Sequence, residues 1–296
     1  MRHGIFIIAI LGLFAMHSTR VSARDFYVNN NIGDDRYDGK GAELYSDSGG
    51  PFRSIGRALR EASKGDRVVI ANTGEPYRES ITLQGGRHSG IPGAFFEVVG
   101  NGATLDGTRP VPASAWSFCK GTVFRFRPPR TSFQQLYLDG KPATRKTISQ
   151  AEEIKELQPT EWCLFDRHIY FSVGVDRLPQ SYNLSYADLP VGITMYEVRL
   201  VVVRDLVIQG FQLDGVNAHD GVFDGTLAGL NCRGNGRSGI SVGGASRVKV
   251  ESCLVGNNGA AQVRTEGFSR THLVGCDLLD NTAPRIVRDG GTIKED

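Results

Sequence analysis

The chain has 296 residues, with 34 Lys and Arg against 32 Asp and Glu, a formal net charge of +2. The first 23 residues hold Arg2 and Arg20 and no acid, so without them the balance is 34 − 2 = 32 bases against 32 acids. So even a charge lacks the basic field that nucleic acid or an anionic membrane calls for, and the length is ample for one large core.

In chain order, Arg2 and His3 precede a largely apolar run from Gly4 to Met16, and Val21-Ser22-Ala23 ends it with small residues at the last and third-last positions. This pattern predicts a secretory signal peptide over residues 1–23, cut after Ala23, because the run is too short to span a bilayer. No later run approaches membrane length, so the mature chain is expected to be soluble and exported, to the extracellular space or the periplasm. Residues 24–109 read as a cap and the first coils of a stacked β structure. Phe26-Tyr27-Val28 is a short strand, followed by a polar loop from Asn29 to Gly41. Asp34, Asp35 and Asp38 in that loop could offer oxygens to calcium. The loop lacks EF-hand spacing, however, and Asp residues of this kind also make side-chain turns, so no cofactor is expected. Pro51 opens an amphipathic helix expected over 51–63, with Phe52, Ile55, Ala58, Leu59 and Ala62 on one face. Val68-Val69-Ile70, Ile81-Thr82-Leu83, Phe95 to Val99 and Ala103 to Leu105 follow as strands.

Several of these residues carry a resemblance: Phe26-Tyr27-Val28, the acidic loop, Pro51-Phe52, Gly65-Asp66 before Val68, and Gly74 with Tyr77-Arg78-Glu79. Together they resemble the amino-terminal end of the secreted right-handed parallel β-helix family, the pectin-lyase-like fold of polysaccharide lyases and several glycoside hydrolases. The resemblance implies the fold and is nearly silent about the reaction.

Eight of the twelve prolines fall between Pro110 and Pro190, where no repeat is visible, which argues against continuous ladder strands. Residues 110–190 are therefore expected to form a β-rich insertion. Leu136-Tyr137-Leu138 leads into an Asp139-Gly140 turn, while Trp162-Cys163-Leu164 and Ile169-Tyr170-Phe171 form hairpin arms. Through Asp139-Gly140-Lys141, Glu161-Trp162 and Ile169-Tyr170-Phe171 this part resembles the sandwich-like insertion of some β-helix glycosidases. Cys119 and Cys163, outside the repeat, could pair as a disulfide.

Residues 191–296 repeat. Phe211, Cys232, Cys253 and Cys276 recur at 21, 21 and 23 residues, and Val216, Ile240, Val263 and Val287 at 24, 23 and 24. A period near 22 with no helical periodicity predicts an all-β solenoid, a right-handed parallel β-helix whose coils stack their apolar side chains. The cysteines read as a buried ladder and Asn235, Asn258 and Asn281 as a ladder of turn amides. Nothing in the repeat fixes an oligomeric state.

With Val216, Ile240, Val263 and Val287 inward, alternation turns Asn217, Ser241, Arg264 and Arg288 outward in one column. His219, Gly243, Glu266 and Gly290 form a second, with Asp220 and Asp289 at its edge. Gly243 and Gly244 leave a depression between charged side chains, which suits a polysaccharide or oligosaccharide. The expected catalytic residues are Asp220, Glu266 and Arg264, with Asn217, His219 and Arg288 binding substrate and no metal. In a hydrolase Glu266 donates the proton and Asp220 activates water. In a lyase Arg264 or Arg288 would assist proton removal, as the family resemblance implies for lyases that work beside calcium. Two plainer readings stand beside these: a non-catalytic carbohydrate-binding or cell-surface module, and outward Arg and Glu that merely neutralise each other on a solvated sheet.

Overall fold

The computed structural model describes residues 23–296. The expected leader lies, apart from Ala23, outside the described residues. The protein is all-β, built on one large sheet whose ladders are all parallel, with two smaller antiparallel sheets beside it. Among the described residues no helix is long and apolar enough to cross a membrane.

The parallel strands form three stacks. In the first, Phe26, Val68 and Val98 lie in register, as do Val203, Leu227, Val250 and Leu273, with Val98 joined to Val203. In the second, Ile81, Ile193, Val216, Ile240, Val263 and Ile286 form one file. In the third, Leu105, Ile208, Cys232, Val255 and Leu278 do the same. Side chains from all three meet in one apolar core. Each fully buried Val, Leu or Ile there contributes about 1.5–3 kcal/mol of transfer free energy. The chain turns from the first stack to the third through left-handed residues such as Asn101, Asp205, Ser252 and Gly275. It turns from the second to the first through Glu197, Gly221, Gly244, Gly267 and Gly290, also left-handed.

The files correct the expected register in two places. Ile286, not Val287, continues Val216, Ile240 and Val263. The last coil keeps the 23-residue advance of the one before it, and two adjacent β-branched residues made either register readable from sequence. A one-residue slip exchanges the faces of a strand, so Arg288 comes into register with Thr265, and Arg264 faces Val287. The cysteines are not one file either. Cys232 stacks on Ile208 and Val255, whereas the Cys253 thiol accepts the Leu230 N–H in a neighbouring file. The amide ladder holds from Asn235 to Asn258, whose side chains bond at 3.0 Å; Asn281 instead donates to Asn257.

The helix covers Ile55–Glu61 and is shorter than 51–63. Ser54 caps it, and Glu79 accepts the N–H groups of Ile55 and Gly56. Its buried Ile55, Ala58 and Leu59 close over the first strands, while Phe52, extended and bridged to Val28, stacks on Phe26. Asp66 anchors Arg24 and Ser63, so the quoted Gly65-Asp66 and Tyr77-Arg78-Glu79 pieces hold backbone in place.

The two antiparallel sheets take strands between Thr108 and Ala187. Trp162–Phe165 pairs with His168–Ser172 across Asp166 and Arg167, both left-handed, and Leu136–Leu138 pairs with Lys141–Pro142 across Asp139-Gly140. Cys119 and Cys163 share an apolar cluster as free thiols.

Candidate functional site

The outward face of the second stack carries a file of charge. Asp214, wholly buried at the strand entry, accepts hydrogen bonds from Arg237 Nε at 3.0 Å and Nη2 at 2.5 Å, from Ser238 Oγ at 2.6 Å and from Asn217 Nδ2 at 3.0 Å. Arg237 then reaches Glu266 Oε1 at 3.7 Å. Glu266 also lies 3.6 Å from Arg264 Nε, and Arg264 binds Asp289. The result is an alternating file, Asp214–Arg237–Glu266–Arg264–Asp289, crossing four coils. The bonds it donates to Asp214 hold the Arg237 guanidinium above its ordinary pKa, against the opposing effect of burial. Arg264 Nε is buried without a hydrogen-bond partner among the described residues.

A bulge shapes the next part. Met195 pairs with Ala218 but Tyr196 pairs with Asp220, so His219 is an extra residue in its strand. Bulges re-aim side chains, and here the exposed imidazole lies tilted against Tyr196, ring centroids 6.1 Å apart. Tyr196 is exposed, and the Glu197 carboxylate beside it raises its phenol pKa, with Asp220 adding a smaller push. The Asp220 carboxylate accepts the Ala245 N–H at 3.0 Å and lies against Gly244, where an added Cβ would collide with it. Glu266 leans in from the other side, its Oε2 3.7 Å from the place of a Cβ on Gly243. Asp220 and Glu266 thus stand on either side of a two-glycine step. They are separated by two coil spacings, about 10 Å along the stack before the side chains converge. Phe268, 90% exposed, hangs its backbone N–H on Gly244 O beside this step.

The expected site residues therefore divide. Asp220, Glu266 and Arg264 gather at the step, His219 stands over it, and Asn217 is drawn back onto Asp214. Arg288 leaves the file, because the slip in the last coil places Asp289 in register with Glu266 instead. Sequence reasoning missed Asp214, Arg237, Tyr196 and Phe268. Asp214 and Arg237 are separated by 23 residues, the repeat spacing, and that was the available signal.

The carboxylates of the acidic loop are engaged by groups of the chain itself. Asp34 is bound by Arg36, Asp35 accepts from Arg53, Ser54 and the Ser54 hydroxyl, and Asp38 accepts from Lys40 and Tyr45. Among the described residues no three His, Cys, Asp or Glu side chains gather as ligands.

No protein-family model and no curated protein matches the sequence. A solved structure named "Glycoside hydrolase" superposes with a TM-score of 0.60 at 10% identity, over 86% of this chain and 73% of that one. A solved complex of XylC with xylose gives 0.45 at 11% identity, over 92% and 70%. The first likeness is one of fold: the parallel-sheet architecture is shared with a glycoside hydrolase.

Proposed function

We propose that the chain is an exported right-handed parallel β-helix protein that hydrolyses a glycosidic bond of a polysaccharide or oligosaccharide at the Gly243-Gly244 step. The observation that carries this reading is the placement of Asp220 and Glu266 on opposite sides of that step, beside exposed Tyr196, His219 and Phe268. Aromatic faces and carboxylates together suit a sugar ring. The two-coil separation is close to the 6.5–9.5 Å of inverting enzymes, which leaves room for a water. The shared fold with a structure named "Glycoside hydrolase" agrees with it. The repeat, the amino-terminal pattern and the three parallel stacks support the β-helix, and the Arg2 to Ala23 pattern supports export.

We assign the two roles in the opposite order to the sequence reading, on the charges beside each carboxylate. Glu266 faces two guanidinium groups and acts as the carboxylate that takes a proton from water as its oxygen attacks the anomeric carbon. Asp220, with no cation within 4 Å among the described residues, gives its proton to the departing sugar oxygen. Arg264 and Arg237 orient Glu266. Reducing-sugar release from neutral and acidic polysaccharides, with ultraviolet absorbance to register any lyase product, tests this. Asp220→Asn and Glu266→Gln are each expected to lower turnover at least a hundredfold; turnover kept by both variants removes the assignment.

A second reading rests on Arg264. It binds Asp289 and approaches Glu266, so the file can also serve as a sugar-binding surface without chemistry. Saccharide binding with no product release would select it.

A further inference from the structure

We propose a second ligand site, for an acidic oligosaccharide, in the cleft between the antiparallel insertion and the third parallel stack. The cleft encloses about 890 Å³, within the usual range for ligand sites of about 300–1,000 Å³. Its walls come from different parts of the chain, Asp139, Lys141 and Arg145 on one side and Gln209, Arg233 and Asn257 on the other.

Two features make this a built site. The first is rigid closure at its base. Tyr137, buried, donates its hydroxyl to Gly234 O, and a Cβ on Gly234 would come within 3.1 Å of Pro142 and 3.3 Å of the Tyr137 ring. A Cβ on Gly236 would collide with the Phe133 carbonyl, and one on Gly259 would sit 3.0 Å from the Gln135 amide. Glycines of the stack thus let the insertion pack closely on it, against backbone at Gly236 and against side chains at Gly234 and Gly259.

The second is the charge. The cleft holds three cations, Lys141, Arg145 and Arg233, against one carboxylate, Asp139. Among the described residues none of the three has a carboxylate within 4 Å, whereas Arg237 and Arg264 of the sheet face are ion-paired. Arg233 is held by the Gln209 side-chain oxygen at 2.9 Å, and the Arg145 guanidinium lies 5.1 Å from the centre of the buried Trp162 ring. Both are positioned by neutral partners, which leaves other N–H groups for a carboxylate or sulfate. Glutamine and asparagine beside them suit sugar hydroxyls. The balanced charge of residues 24–296 disfavours nucleic acid. The ligand class rests on the carbohydrate reading above; the location does not.

Titration calorimetry of the whole protein with trigalacturonate, a sulfated heparin tetrasaccharide and neutral xylotetraose tests the proposal and separates carboxylate from sulfate. At least one acidic probe is expected to bind tenfold or more tightly than the neutral one and to weaken as salt is added. Lys141→Gln with Arg233→Gln should cost at least tenfold in that affinity, with the melting temperature within about 2 °C of the parent as proof of folding. Glu266→Gln, which removes the sheet-face reaction, should leave the titration unaltered. Equal binding of the neutral probe, parental affinity in the double variant, no binding of either acidic probe, or loss on Glu266→Gln alone would each overturn the site. None of these results decides the hydrolysis assay.

Discussion

Replacing Asp214 by Ala removes the acceptor of four hydrogen bonds, two of them from Arg237, at a residue with no exposed surface. Breaking a buried ion pair from one side costs about 3–5 kcal/mol, chiefly because the other charge is left uncompensated. Arg237 keeps 20% of its side chain in solvent and retains Glu266 at 3.7 Å, so the lower end, about 3 kcal/mol, is expected. For a chain of this size 1 kcal/mol shifts the melting temperature by about 2 °C, giving a fall of about 6 °C. Asp214→Asn keeps the shape and part of the bonding and should lose about half as much. The assay is urea unfolding and calorimetry of the single variants, Arg237→Gln and the double variant. Because Arg237→Gln in the Asp214→Ala background can forfeit only the longer contact to Glu266, the cycle should show at least about 1.5 kcal/mol of coupling. Additivity within about 0.5 kcal/mol, or a loss below about 1 kcal/mol in Asp214→Ala, would refute the network as a stabilising unit.

Two further outcomes are expected. Gly244→Ala must place a Cβ at φ +57 and against the Asp220 carboxylate. It should cost about 1–2 kcal/mol and also suppress sugar release, whereas Gly275→Ala, at φ +56 in open space, should show the stability loss alone; equal activity in both variants would free Asp220 of its role. Asp66 gives an acid limb: burial works to raise its pKa, but hydrogen bonds from Arg24 and Ser63 outweigh this and hold it below the ordinary range. With the folded value lowered, its stabilisation is complete above the unfolded pKa of about 3.9 and disappears as pH falls through the depressed native value. Urea midpoints between pH 5 and 2 should fall less steeply in Asp66→Asn; parallel curves would contradict the latch.

The parts of this fold that alternate strictly were readable. Val216, Ile240 and Val263 each sit between glycine or polar neighbours, so only one register buries them. Where two β-branched residues adjoin, as at Ile286-Val287, burial alone does not choose, and Arg288 was misplaced with them. The His219 bulge was invisible because one added residue changes no composition, only which side chain meets Tyr196. The spacing of 21 between Phe211 and Cys232 is not a stacking interval, because Cys232 pairs with Ile208, three residues before Phe211. Asp214 shares the parity of Val216 rather than that of the outward columns, and its position at the strand entry is what lets Arg237 reach it.

The glycine contacts at Gly234, Gly236 and Gly259 have a mechanical implication. Walls pressed together at three glycines have little room to shift against each other, so a guest would have to match a gap already set instead of being gripped by closure. Discrimination would then follow the girth and branching of the sugar chain. New tastes could be acquired by exchanging residues on the 141–145 segment, with the stacked strands beneath left untouched.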